Sequence, residues 1–153
     1  MKKLAVALVL VSACRTVPVT NMGGSSQPGP GPGAVSPQAA VEQMLAAAKA
    51  QDLQAISAVW GDEHGLMRDR TPRNEVESRT FILACILRAD TQKVGAAEPA
   101  GNGHMLVNAD LTQGGKSGST RFEVAATAQR RWLVTNVDVQ SLQNAGFCGR
   151  KGD

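Results

Sequence analysis

The first part of the folded region follows the period of a helix. Apolar side chains recur at the spacing of one helix face in Val41, Met44, Leu45 and Ala48. Ser36 followed by Pro37 is typical of a capped helix start. Asp52 is placed to cap a second, shorter helix, which Gly61 would end. The pattern therefore predicts two amphipathic helices between residues 36 and 61.

A third helix is predicted after Thr71 and Pro72, which repeat the combination of a capping residue and a proline. This helix runs into residues 81–87, with the sequence FILACIL. Because that run is apolar on nearly every helix face, we expect it to be deeply buried. Its branched residues would also allow a strand, but the capped start favours a helix.

From residue 90 onward the pattern changes to the two-residue period of strands. Apolar and polar residues alternate, or nearly so, in segments 91–97, 104–111, 121–128 and 132–139. The glycine-containing connection at 113–119 is typical of a hairpin loop. Helices followed by an antiparallel sheet define an α+β fold. We expect two or three N-terminal helices packed against a curved antiparallel sheet of about four strands.

The N-terminus, MKKLAVALVLVSAC, has the organisation of an export signal: two lysines, an apolar run at 4–11 and small residues before Cys14. It resembles the lipobox of bacterial lipoproteins, in which this pattern ends in an obligatory cysteine. The resemblance implies that Cys14 becomes the lipidated N-terminus once the signal peptide, residues 1–13, is removed. Lipid, rather than the short apolar run, would then hold the chain at the membrane. A soluble secretory signal with an incidental cysteine is the alternative.

The composition predicts the remaining boundaries. Residues 14–35 would be the lipidated cysteine and a flexible Gly/Pro/Ser linker, since they offer little apolar surface to bury. Residues 36–148 would form one domain with a modest core, and residues 149–153 a disordered tail. With Cys14 lipidated, Cys85 and Cys148 remain, and we expect them to form a disulfide in an oxidising compartment. A buried free thiol at Cys85 is the alternative.

The charge of the mature chain argues against nucleic acid as a partner. Of the 16 basic residues, two lie in the signal, which leaves 14 against 13 acidic residues. The chain has no tyrosine and few other aromatic residues that could stack on bases. We therefore expect no nucleic-acid binding.

The helical segment AAVEQMLAAAKAQDLQAISAVWG and the late strand RWLVTNVDV resemble the nuclear-transport-factor-like, or SnoaL-like, α+β cone of cystatin-like topology. The resemblance covers about residues 36–140. It implies a sheet curled around the long helices. The family includes small isomerases, cyclases and dehydratases, and also many members without known chemistry.

Family enzymes commonly use an Asp or His inside the cone as acid or base. The candidates here are His64, His104, Asp110 and Asp138. The alternation of the strands places the last three on polar faces, so we expect them at the surface, and we assign no catalytic residue. The two histidines lie forty positions apart without metal-ligand spacing, so no metal site is predicted, and no cofactor either.

These features predict a bacterial envelope lipoprotein, lipid-anchored and facing the periplasm, with a non-enzymatic domain that binds an envelope protein or a small apolar ligand. Arg15 rather than Asp follows Cys14. By the sorting rules that the resemblance to bacterial lipoproteins implies, this residue favours the outer over the inner membrane. The alternative is a small-molecule isomerase or hydrolase that uses the cone as its pocket.

The lipid anchor makes a direct prediction. Replacing Cys14 by Ser removes the sulfur that would carry the lipid, so the protein should leave the membrane fraction or remain an unprocessed precursor. Fractionation of cells expressing each form, followed by immunoblotting, measures this. A Cys14→Ser protein that matures and sediments with membranes like the parent would contradict the lipoprotein assignment.

Overall fold

The computed structural model describes residues 31–149. The predicted signal 1–13, Cys14, most of the linker and residues 150–153 lie outside this range. The helices are α1 (Pro37–Ala50), α2 (Leu53–Ser57), α3 (Arg73–Ile86) and α4 (Val139–Asn144), and a single 3-10 turn covers Met67–Asp69. The strands are β1 (Gly61–Asp62), β2 (Gly65–Leu66), β3 (Thr91–Gly101), β4 (His104–Gln113), β5 (Lys116–Ala126) and β6 (Trp132–Val137).

The main sheet is antiparallel with the strand order β3-β4-β5-β6, while β1 and β2 form a separate small hairpin. Register shifts interrupt the β3–β4 pairing after Val94 and the β5–β6 pairing after Glu123, and such irregularities bend a sheet. The helices pack against one face of this sheet, here called the inner face. The predicted α+β architecture of helices on a curved antiparallel sheet is therefore confirmed.

Local capping sets where the first two helices begin. The Ser36 hydroxyl accepts a hydrogen bond from the Ala39 amide at 3.1 Å, and the Asp52 carboxylate accepts bonds from two amides in the first turn of α2. The second helix ends at Ser57, earlier than predicted. Gly61 lies in β1 instead, where a Cβ atom would be 2.2 Å from the Gly65 carbonyl oxygen. The glycine therefore permits a tight hairpin and does not end a helix.

The core forms where α1 crosses the inner face of the sheet, contacting all four strands. Its inward side chains are alanines and larger apolar residues, all buried: Ala40, Val41, Met44, Leu45, Ala47 and Ala48. The sheet meets them with Val107, Ala109, Leu111, Phe122, Val124 and Val134. The alternation predicted for β4 thus points its apolar side chains into the core.

The third helix differs from its prediction in burial. It buries a stripe formed by Val76, Thr80 and Ala84, with Ile86 at its end. Phe81 and Ile82 project away from this stripe and are 69% and 52% exposed. The expectation that residues 81–87 are deeply buried is therefore wrong for these two side chains, because neighbouring elements cover only one side of α3.

The C-terminus is fastened to α3 by two kinds of bond. Cys85 and Cys148 form a disulfide with their Cα atoms 5.4 Å apart, inside the span of about 7 Å that a disulfide can bridge. The Gln113 amide nitrogen donates to the carbonyls of Cys85 and Arg88, and its oxygen accepts from the Cys148 amide at 2.7 Å. The end of α3, the β4–β5 turn and the C-terminus therefore meet at one junction.

The folded part extends slightly beyond the predicted domain boundary. Gly33 donates a backbone hydrogen bond to Ala58, and Ala34 is fully buried and pairs with Trp132 at the edge of β6. On the other face of β6, Leu133 is buried beneath the β1–β2 hairpin, with its Cδ1 close to Gly61.

No helix among residues 31–149 is long and apolar enough to cross a membrane.

Two aromatic positions test this core. Phe122 is fully buried, so Phe122→Ala should lower the free energy of unfolding by about 3 to 5 kcal/mol. Trp132 only packs against the rim of the core and is half-buried, so Trp132→Ala should cost less. Urea denaturation of both variants measures the difference. An equal or larger loss for Trp132→Ala would contradict this placement of the core.

Candidate functional site

An open groove of about 1140 Å³ lies between α2, the 3-10 turn and α3. Its apolar surface comes from Leu53, Val76, Phe81 and Ile82. Uncharged polar residues complete the walls: Gln54, Ser57, Ser78 and Thr80. Phe81 is the most exposed large apolar side chain of the described residues, and exposed apolar surface of this kind marks interaction sites.

The three hydroxyl residues of the groove wall already have hydrogen-bond partners within the fold. Thr80 is buried, and its hydroxyl donates to the Val76 carbonyl at 2.8 Å. The Ser57 hydroxyl donates to the Leu53 carbonyl, and the Ser78 hydroxyl to the Asn74 carbonyl. Since these groups are satisfied along their own helices, an apolar occupant would leave none of them without a hydrogen bond.

The charged residues at the groove form two pairs of opposite sign. Arg73 lies 2.6 Å from Glu77, and this hydrogen bond raises the pKa of Arg73 above its ordinary value. Arg68 and Asp69 approach less closely, at 3.9 Å. Exposed pairs of this kind contribute little to stability. Their main consequence is that the rim carries no net charge.

Both histidines of the chain lie close to the same carboxylate, Glu63, which the sequence spacing did not predict. His104 Nδ1 is 2.7 Å from Glu123, and its Nε2 lies 3.7 Å from Glu63. His64, in the turn of the β1–β2 hairpin, contacts the same Glu63 carboxylate at 3.4 Å. These are pairwise contacts along a row; among residues 31–149 no three His, Cys, Asp or Glu side chains are grouped so that they could hold a metal.

The two aspartate candidates have structural partners at the surface. Asp110 is exposed on β4 and accepts a hydrogen bond from the Ser119 hydroxyl at 2.6 Å. Asp138 caps α4 by accepting from the amide and the hydroxyl of Ser141. These bonds to Ser141 lower the pKa of Asp138 below its ordinary value. Each carboxylate is therefore used by its own local structure.

The inner face of the sheet is occupied by packing. Across the described part of the chain the buried polar side chains are Ser57, Thr80 and Thr120, and none of them is a carboxylate or an imidazole. The Thr120 hydroxyl is satisfied by the Asp138 carbonyl at 2.9 Å. Among residues 31–149, the groups buried in the core are therefore hydroxyls and apolar side chains.

Sequence reasoning missed Phe81 and Ile82 as surface residues. A signal was present: Val76, Thr80 and Ala84 follow one another at intervals of four, which defines a single helix stripe. Phe81 and Ile82 lie about 100° and 200° around the helix from Thr80. The hydrophobicity of the run hid this pattern, because apolar residues occur on every side.

No family model matches the chain, and no curated protein matches it. Solved structures that are similar in part include the following two. A de novo designed protein with a curved β-sheet shares 19% identity at a TM-score of 0.42, covering 69% of this chain and 92% of its own. A phospholipid-binding protein from Ralstonia solanacearum, in complex with a phospholipid, shares 15% identity at a TM-score of 0.38, with coverage of 71% and 84%. Both TM-scores lie below 0.5, so neither similarity bears on the function of this chain.

The capping of α4 by Asp138 predicts that the stability of the fold depends on pH. Because the pKa of Asp138 is lower in the folded than in the unfolded state, its ionised carboxylate stabilises the fold above the unfolded pKa of about 3.9. This stabilisation is lost as the pH falls through the folded pKa. Asp138→Ala should therefore lower the melting temperature at neutral pH, and the difference from the parent should shrink toward about pH 2. Thermal denaturation across this range measures it. A difference that is independent of pH would contradict the role of the ionised carboxylate.

Proposed function

We propose that this protein is a membrane-anchored lipoprotein of a bacterial envelope whose domain binds an apolar group and catalyses no reaction. The order of residues 1–14 supports the anchor, with Cys14 as the lipidated residue and the periplasm as the compartment. The resemblance to the SnoaL-like cone supports the domain type. In this proposal the outer membrane is favoured over the inner membrane, as the residue after Cys14 indicates.

The observation that carries the binding function is the exposure of Phe81 and Ile82 beside the groove. Exposure of two neighbouring large apolar side chains to water is unfavourable. Burying each of them against an apolar partner would lower the free energy by about 1 to 2 kcal/mol. A partly formed wall already exists in Leu53 and Val76. The groove therefore suits an apolar group that would cover all four side chains.

The site differs in place from the pocket of a cone enzyme. The inner face of the sheet is filled by α1, whereas the groove lies between α2, the 3-10 turn and α3 and is lined by no residue of the main sheet. Its charged residues are paired with one another rather than directed at a reacting atom. Binding, with the charges as a neutral rim, is the activity that this arrangement supports.

Titration with N-phenyl-1-naphthylamine, a small uncharged fluorophore, tests the groove. The chain from Arg15 onward retains every residue of the described structure and should raise the probe's fluorescence with saturable binding. Phe81→Ser removes the most exposed apolar wall and should weaken the affinity about tenfold, which corresponds to about 1.4 kcal/mol. Because Phe81 is exposed, its replacement should leave the melting temperature nearly unchanged.

Asn108→Ser is the matched control, since Asn108 is an exposed residue on the outer face of the sheet, away from the groove. It should bind the probe like the parent. Equal affinities for the parent, Phe81→Ser and Asn108→Ser would contradict the proposed site, and an absence of saturable binding in all three would contradict the binding function.

A further inference from the structure

The chain enters the described structure beside the groove. The Gly33 amide donates to the carbonyl of Ala58 at 2.9 Å, and Ala58 directly follows Ser57, which lines the groove. The Arg131 guanidinium donates to the carbonyls of Gly31 and Gly33, which fixes this entering segment against the edge of the sheet. The described chain therefore begins next to the C-terminal end of α2, one of the helices that form the groove.

The length of that polypeptide limits how far the domain can move from a lipid anchor. Sixteen residues lie between Cys14 and Gly31, and even when fully extended this stretch of chain spans at most about 60 Å. A lipidated Cys14 thus keeps the groove within reach of one bilayer surface at all times. The tether keeps only the bilayer close to the groove, because a soluble ligand or a soluble protein would have to arrive by diffusion.

The described residues include three exposed large apolar side chains. Among residues 31–149 the exposed large apolar residues are Val35, Phe81 and Ile82. Val35 is 52% exposed and follows the entering segment directly, while the other two stand on α3 next to the groove. Large apolar side chains exposed beside a membrane tether are suited to the interface between water and lipid.

The charges decide how such contact would be made. Arg73 and Arg68 are each accompanied by an acidic residue, Glu77 and Asp69, so the rim offers no net positive charge to anionic lipids. The attraction would come from apolar burial, and salt would screen little of it. A neutral, zwitterionic bilayer is therefore a sufficient partner.

We propose that the surface of α3 around Phe81 and Ile82 docks on the bilayer in which the Cys14 lipid is inserted, with both side chains entering the interfacial layer. This inference rests on the lipid anchor of the proposed function and names the occupant of its groove region. The docked domain turns the outer face of its sheet, which carries Asn108 and the His64–His104 row, away from the lipid.

Quenching by brominated lipid tests the orientation. The chain contains only Trp60 and Trp132 as tryptophans, one buried and one half-buried, which gives a constant background. Phe81→Trp places a further indole at the docking position, and Asn108→Trp places one on the outer face of the sheet as the matched control. Each full-length lipidated protein is reconstituted into vesicles of phosphatidylcholine with or without bromine on its acyl chains. After subtraction of the parent signal, we expect at least twofold stronger quenching at position 81 than at position 108.

Each result has a separate meaning. Equal quenching at the two positions, or stronger quenching at position 108, would overturn the docking while leaving the anchor intact, provided that the protein sediments with the vesicles. Failure to sediment would overturn the anchor, and the docking with it. A contrast that is absent at a high protein-to-lipid ratio would assign the α3 surface to a second copy, which shields the indole from bromine, and would overturn the bilayer as its occupant.

The ionic strength provides a second readout. Because the rim is neutral, the contrast between positions 81 and 108 should remain within about 20% when the salt concentration rises from 0.05 M to 0.5 M. Ile82→Ser in the Phe81→Trp background removes the neighbouring apolar side chain and should reduce the quenching at position 81. A contrast that salt abolishes and that Ile82→Ser leaves unchanged would overturn apolar docking.

Discussion

The packing of α1 across the inner face of the sheet is the constraint on which the other elements depend. This helix contacts every strand of the main sheet as well as α2 and α3. Its inward face alternates alanines with Met44 and Leu45, so the backbone approaches the strands closely while the larger side chains fill the curve. The same contact removes the inner face from contact with ligands. A ligand of this domain would therefore have to bind its outer surface, where α3 exposes large apolar side chains.

The exposure of α3 is maintained by how the C-terminus is fastened. The Cys85–Cys148 disulfide and the three hydrogen bonds of Gln113 fix the end of α3 to the β4–β5 turn. The α4 segment brings Leu142 and Phe147 into the core close to this junction, where both are buried. With its C-terminal end fixed there and its stripe at Val76 and Thr80 held by the core, α3 cannot rotate to bury Phe81 without breaking these bonds. An apolar side chain that the fold holds in water in this way is available to an external partner.

The features that sequence could predict are those that depend on near neighbours. Ser36 and Asp52 cap their helices because the amides they accept from lie within three residues. The alternation from Val107 to Leu111 predicted the inward face of β4 for the same reason. The outward position of Phe81 depends on which side of α3 the fold covers, and the approach of Glu63 and His64 to His104 depends on the β1–β2 hairpin folding over the sheet. Such long-range contacts are absent from local periodicity, which also gave no sign of α4.

The proposed docking surface of two side chains is small by the standards of protein interfaces, and this size is physically consistent with the proposed tether. An untethered domain would need a large contact to overcome the entropy of association. A short connection to a lipid anchor makes the second contact intramolecular, so that a weak apolar contact is occupied at the high effective concentration that the tether imposes. A larger patch would bind without the tether but would also promote association between copies of the domain in water. Phe81 and Ile82, bordered by paired charges, stay below that size, and in the proposed docking the connection to Cys14 would be the tether that makes so small a surface sufficient.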